Sequence, residues 1–487
     1  MNESDARNVM LLRAYETLPE QDVVHWSEDD RAWATQAALQ AEGEQASAAA
    51  FLARRARLAA ERLSARDRGV RLAVRALTWR PWIGWLLAFL AFTAGVATDS
   101  IGPARHINVL APPLLALLAW NLLVYVLLLA HAAARLGGAG TGGPGPLARL
   151  VARLAHTAVS ARARERFALP LAAFARDWAG ASATLSASRV ARVLHTAAAA
   201  FAAGALSGMY LRGFALEYRA GWESTFLDAS AVHAILAVVL GPAAAISGIP
   251  LPDLASLEAI RSGVSPGENA ARWIHLYAVT VLLIVLLPRA LLALGNLLVE
   301  RRLANRFPLS LDDGYFQSIA RAHHGVAAEI RIQPYSYRPS AQAALGLNAL
   351  LAGVFGARAE VAIAPAVPYG GEDTLDSAAL PGTAVALVVA LFPLTATPER
   401  ENHGAFIGAL AARLPRATPL AVLVDESAFA QRFGAERRSE RRAAWQRMLA
   451  ETGREPVFVD LEAQDRTAAE RALRAALAHA PARAAQD

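Results

Sequence analysis

Hydrophobic positions along this chain follow two different patterns. Between about residues 80 and 300 they form long apolar runs, whereas beyond about 309 they form short runs alternating with helical stretches. Four of the long runs, over 82–98, 107–131, 193–211 and 273–298, lie near the ~20 residues a helix needs to cross a ~30 Å hydrocarbon core. Each is predicted to be a transmembrane helix. A fifth apolar stretch, 231–249, is interrupted by Gly241-Pro242 and again by Gly248-Ile249-Pro250-Leu251-Pro252. Proline inside a helix removes a hydrogen bond and clashes with the preceding turn, at a cost of ~3 kcal/mol or more. The pattern therefore predicts a broken re-entrant or interfacial segment whose intact part, 231–240, is capped by Asp228 or Ser230. A five-span chain is the alternative.

Arginine sets the expected orientation. Nine arginines precede the first span over 54–80, and nine more lie in the loop 135–192, each set opposed by two acids; Arg301, Arg302 and Arg306 follow the last span. The region 212–272 instead holds six acids against four arginines. By the positive-inside rule, the N-terminus, the loop 135–192 and the C-terminal tail are cytoplasmic, and 212–272 lies outside. Trp79, Trp82, Trp85 and Trp273 stand where an interfacial aromatic belt would. The expected organisation is a cytoplasmic N-terminal helical region (1–80), a membrane bundle (81–306) and a cytoplasmic domain (307–487).

In the last region the apolar runs at 385–391 and 420–424 are continuous rather than alternating, as in strands buried on both faces. Strands are predicted at 329–333, 359–365, 384–392, 420–424 and 456–461, with helices at 311–324, 340–354, 402–414, 438–453 and 465–480. This is a Rossmann-like α/β layer with a parallel sheet, joined to a polytopic helical bundle. Upstream, 28–76 reads as a long Ala/Arg/Glu-rich helix with Phe51, Leu52, Leu58 and Leu63 loosely on one face. It suits either a docking or homo-oligomer helix or one lying on the lipid surface.

Ligands of parallel α/β sheets bind outside the carboxyl ends of the strands. The residues predicted there are Tyr335 and Arg338, Tyr369 with Glu372 and Asp373, Thr395 with Glu399, and Asp425 with Glu426. Adjacent carboxylates and a hydroxyl could hold Mg²⁺ through water or line a nucleotide pocket. Acids at helix starts serve equally as caps and dipole partners. The basic stretch Arg437, Arg438, Arg441, Arg442 with Trp445 could meet an acidic partner or anionic lipid, or form a solvated helix face. Within the spans, Asn121, His195, His275 and Arg289 are read as a helix–helix hydrogen bond and snorkelling ends.

Composition narrows the chemistry. The 487 residues are 55% hydrophobic and contain no cysteine and no lysine, so all 48 residues of the Lys/Arg class are arginine. Thiolate metal sites, cysteine nucleophiles, a P-loop lysine and a Schiff-base lysine are excluded. The glycine-rich run 137–145 lacks the GK[ST] ending and reads as a linker. His323-His324 and His403 lack further ligands at metal spacing, so no metal or cofactor is expected. The net charge of +6 is explained by arginines beside the apolar runs rather than by nucleic acid. The polar, acidic opening predicts no cleaved signal peptide.

At Trp222-Glu223-Ser224-Thr225-Phe226-Leu227, Gly248-Ile249-Pro250-Leu251-Pro252 and Leu423-Val424-Asp425-Glu426-Ser427 the chain resembles a family of uncharacterised proteobacterial inner-membrane proteins carrying a domain of unknown function. The resemblance implies a setting beside an Era-like GTPase, and hence a membrane scaffold or regulator of that GTPase. A membrane enzyme or nucleotide/Mg sensor using the strand-end acids, and a transporter or channel, are the alternatives.

Overall fold

The computed structural model describes residues 1–18, 22–23, 25–43, 45–98, 106–110, 112–136, 169–261, 267–311, 313–324, 327–371, 385–415, 418–450 and 452–479. The run 137–145, Glu372 and Asp373 lie outside them. In chain order the helices are α1 (Glu3–Glu16), α2 (Glu28–Glu42), α3 (Ala48–Arg66), α4 (Arg68–Ala76), α5 (Pro81–Thr98), α6 (Pro112–Leu136), α7 (Leu169–Ala181), α8 (Ala183–Ala215) and α9 (Ala229–Ser247). They continue with α10 (Leu254–Ala259), α11 (Ala271–Asn305), α12 (Gly314–His324), α13 (Ala341–Phe355), α14 (Ala405–Arg413), α15 (Ser427–Ala430), α16 (Ala435–Ala450) and α17 (Thr467–His479). The strands are β1 (His106–Asn108), β2 (Arg219–Gly221), β3 (Glu268–Asn269), β4 (Ala328–Pro334), β5 (Ala359–Ile363), β6 (Leu387–Pro393), β7 (Leu420–Asp425) and β8 (Pro456–Val459).

These elements form two compact units. The first comprises Met1–Leu77, Ala155–Ala181 and Asn305–Asp487; the second comprises Thr78–Leu154 and Ser182–Ala304.

Five parallel strands in the order β5-β4-β6-β7-β8 carry the first unit. Numbered along the chain this is 2-1-3-4-5, a doubly wound order. β6 shows why its sequence is continuously apolar: Leu387, Val389 and Leu391 face a core shared with α13 and α17, while Val388, Ala390 and Phe392 face α14 and α16. The predicted strands and helices of this region match the observed ones within a few residues. The expected long helix over 28–76 is three helices. Gly43, at φ 78°, ends α2, and Asp67 ends α3 while its carboxylate caps α4 through the Gly69 N–H. α3 is not a free surface helix, because Phe51, Leu52, Leu63 and Arg55 are all buried.

Among its described residues the second unit holds five helices long and apolar enough to cross a membrane: 81–98, 115–134, 183–215, 229–247 and 271–305. Four coincide with the predicted spans. The fifth corrects the expectation of a broken segment, since α9 runs without interruption from its Asp228 cap through Pro242 to Gly248, which ends it at φ 71°. Gly241 relieves one part of the proline penalty, the clash of the ring with the preceding residue's Cβ, while the lost hydrogen bond and the clash with the preceding turn remain. At ~1.5 Å per residue α9 is about 28 Å long.

Glycine also explains the tightest packing in this unit. A Cβ on Gly95 would sit 2.1 Å from the Phe201 carbonyl oxygen, and one on Gly204 would sit 2.1 Å from that of Phe92. α5 and α8 thus meet backbone to backbone, as small residues allow in apolar surroundings. Beside them β1, β2 and β3 form a small sheet over a core containing Trp222, Trp273 and Tyr277.

Candidate functional site

The strand-end residues of the first unit sort into three hydrogen-bonded groups. In the first, Asp425 closes β7 with its side chain buried. Its Oδ1 accepts from the Ser427 amide (3.0 Å), the Ser427 hydroxyl and the Leu461 amide (3.4 Å), and its Oδ2 accepts from the Tyr337 hydroxyl. Burial, then the bond to Asp425, raises the Tyr337 pKa. Glu426 faces elsewhere and forms a two-bonded pair with Arg442, whose guanidinium lies over the Phe458 ring.

The remaining group sits on a π turn, Arg400–Gly404, that leads into α14. The Tyr369 hydroxyl donates to Glu399, and the Asn402 amide donates to the Tyr369 oxygen (2.7 Å) and to Glu399 (2.8 Å). The Glu399 N–H donates to His403 Nδ1 at 3.2 Å. The hydrogen bonds from Tyr369 and Asn402 hold the Glu399 carboxyl below its usual range. Behind them Tyr335, Phe392, His403, Phe406 and Trp445 form an aromatic cluster of tilted and edge-to-face rings. Tyr369 is half exposed and Thr395 is exposed.

The doubly wound order locates its ligand crevice between the carboxyl ends of β4 and β6. Here that position is occupied by the chain's own tyrosines. Ser336, at φ 46°, turns the backbone so that Tyr335 accepts from the Gly370 N–H (3.1 Å) and Tyr337 reaches Asp425. Among the basic residues of α16, Arg437 is exposed, Arg438 half-buried, and Arg441 bonded to Thr397 (2.8 Å). Trp445 is fully buried against Phe392 and His403, and its indole N–H has no acceptor among the described residues.

A second polar constellation lies inside the apolar bundle, where sequence reading left its members as separate snorkelling or packing residues. Arg289 on α11 donates from Nε to Asn121 Oδ1 (2.8 Å) on α6, and Nη1 lies 2.9 Å from His195 Nδ1 on α8. Its guanidinium stands 5.3 Å from the Tyr125 ring centre. All three polar partners come from other helices, and Arg289, His195 and Asn121 are buried.

The local sequence explains the arrangement. Pro288 has no N–H for the Ile284 carbonyl and its ring crowds that carbonyl. α11 responds with a π turn over Leu282–Leu286, and the Tyr125 hydroxyl donates to the freed Ile284 oxygen at 3.0 Å. Pro288-Arg289 in the middle of an apolar run was the available signal. Nearer the end of α11, Glu300 pairs with Arg189 (3.2 Å) and Arg192 (2.7 Å). His275 bonds instead to Tyr210 (2.8 Å), apart from this constellation.

The described residues thus combine five helices long and apolar enough to cross a membrane with a doubly wound parallel α/β layer. Residues 150–454 match the family described as "Protein of unknown function (DUF2868)", and the chain belongs to that family. No curated protein and no solved structure matches the chain.

Proposed function

We propose that this protein is a membrane-held receptor whose first unit docks a partner GTPase at the cytoplasmic face of the bacterial inner membrane. One observation carries the reading: the first unit is a single body built from three chain segments with apolar helices between them. The Arg55–Glu16–Tyr315 network and the stacking of Trp178 on Phe307 tie those segments together. A body packed in this way lies on one side of a bilayer. The chain leaves it after Leu77 and returns with two candidate spans between, then leaves after Ala181 and returns with three. An even number of crossings is required each time, so one of α8, α9 and α11 enters the membrane without crossing. We assign that role to α9, the shortest of the three, which carries Pro242.

The arginine-rich loops favour the cytoplasmic side for this body. The GTPase comes from the family resemblance, and a docking surface is offered by Arg437 and Arg438 on α16, which Arg442 and Trp445 anchor from below. The filled crevice between β4 and β6 favours docking over catalysis. The test is capture of the neighbouring Era-like GTPase by the full chain in lipid nanodiscs. Retention by the wild type and at least tenfold weaker retention by Arg437→Glu/Arg438→Glu supports docking, and equal behaviour of the two chains, bound or unbound, counts against it.

One observation favours a second reading, a ligand sensor. The Tyr369–Glu399–Asn402 group sits on a π turn, an irregularity often found at functional sites. It predicts thermal stabilisation by Mg²⁺ or a nucleotide that is lost in Glu399→Gln.

A further inference from the structure

The Arg289 constellation carries an inference independent of the docking reading. Its guanidinium is ringed by neutral groups: the Asn121 carbonyl oxygen, the His195 imidazole and the Tyr125 ring. With Arg289 donating, His195 Nδ1 accepts, which leaves that imidazole neutral with its proton on Nε2. No carboxylate contacts Arg289 among the described residues, and the one acid on the same helix seam, Glu300, is engaged by Arg189 and Arg192. The α8–α11 seam therefore carries three guanidinium charges against one carboxylate.

Depth makes this costly. Arg289 stands 16 residues past Trp273 and 11 before Glu300, which places it about 24 Å and 16 Å from them along the helix at ~1.5 Å per residue. An arginine side chain does not span that distance, so the snorkelling expected from sequence fails, and the side chain is only 6% exposed. A charge in a low-dielectric interior is retained when it is paired. Asn121, His195 and the Tyr125 oxygen each engage the guanidinium, and the planar fork suits an anion on the N–H groups that these three do not use.

We propose that Arg289, with Asn121, His195 and Tyr125, forms an intramembrane binding site for a small inorganic monoanion such as chloride. The anion supplies the counter-charge that no described residue provides. Tyr125, locked to the Ile284 carbonyl that Pro288 leaves without a donor, holds one side of the site in place. A lipid phosphodiester carries similar charge, but it resides at the interface and not at this depth.

The experiment follows the thermal unfolding midpoint of the full chain in zwitterionic nanodiscs, replacing gluconate with chloride at constant ionic strength. The wild type is expected to rise saturably by several degrees. Arg289→Gln should lose the response. Should that variant fail to fold, Asn121→Asp decides the matter, because it places a carboxylate against Arg289. Its midpoint in gluconate should match or exceed that of chloride-saturated wild type and should no longer respond to chloride. A flat wild-type titration overturns the proposal, as does a chloride response kept by Asn121→Asp. A rise that follows added anionic lipid instead of chloride would assign the site to a headgroup and overturn it too.

Discussion

Replacing Arg55 with methionine should break the first unit more severely than any surface change. Glu16 and Arg55 are 1% and 2% exposed at their side chains and meet through two bonds, Nη2 to Oε1 at 2.6 Å and Nη1 to Oε2 at 3.1 Å. Tyr315 on α12 adds a third bond to Glu16 at 2.6 Å, and Arg55 Nε donates to Thr35 Oγ1 at 2.9 Å. Burial by itself would raise the Glu16 pKa. The charges of Arg55 and Arg31, with the bonds from Arg55 and Tyr315, hold it below the ordinary value. Arg55→Met keeps the length of the side chain but leaves a buried carboxylate with only Tyr315 and the longer contact to Arg31 at 3.7 Å. Removing one partner of such a pair costs about 3–5 kcal/mol. For a domain of more than ~150 residues that corresponds to a midpoint shift of order 10 °C. The assay is thermal unfolding of the full chain in detergent, with Glu16→Gln and the double variant completing a cycle. The double variant should cost clearly less than the sum of the singles. A loss below ~1 kcal/mol for Arg55→Met, the range of exposed pairs, would refute the reasoning.

Four further outcomes are expected. As pH falls, stability should drop below about pH 4.3, the ordinary glutamate value. With Glu16 depressed, the unfolded chain binds more protons there than the folded one, so the stabilisation present above that value is lost as pH falls through the folded pKa, and Glu16→Gln should flatten this limb in pH-dependent unfolding. Gly204→Leu should abolish monodisperse elution of the full chain in detergent, because its Cβ would meet the Phe92 carbonyl; Gly295→Ala, with nothing within 4 Å, should stabilise α11 by about 0.5–1 kcal/mol. Tyr337→Phe strips a donor from the buried Asp425 carboxylate and should cost about 1–3 kcal/mol by thermal unfolding, without altering the pairing of Glu426 and Arg442.

The parts of this molecule visible in its sequence are those whose cause is local. β6 and β7 are continuous apolar runs because both faces are covered, and that cause lies within each run. Four of the long apolar helices are visible for the same reason, their length and polarity. Pro242 does not break α9, because a local proline penalty does not by itself decide whether the helix around it continues. Asp425 does close β7, as its place in the sequence suggests, but its partner was not legible. Tyr337 meets Asp425 from 88 residues away, and Arg289 meets Asn121 from 168. No periodicity encodes which helix face turns toward which.

That long-range dependence also constrains how the first unit can form. α1, α2 and α3 can pack on one another early, since Glu16, Thr35 and Arg55 all lie within the first unit's N-terminal segment. Tyr315, which completes the Glu16 shell, follows only after 299 further residues and the intervening apolar helices. At ~5–20 residues per second that interval is on the order of tens of seconds. Until then Glu16 has Arg55 and Arg31 but lacks the cover of α12, where Phe51 stacks on His323 at 3.9 Å. A chain stopped at residue 306 should therefore expose the part of α3 that α12 covers, around Phe51, and protease should cleave within 47–66 faster in that fragment than in the full chain. Equal protection of the two would mean that the N-terminal helices are complete without α12, and that the first unit is two bodies in contact instead of one.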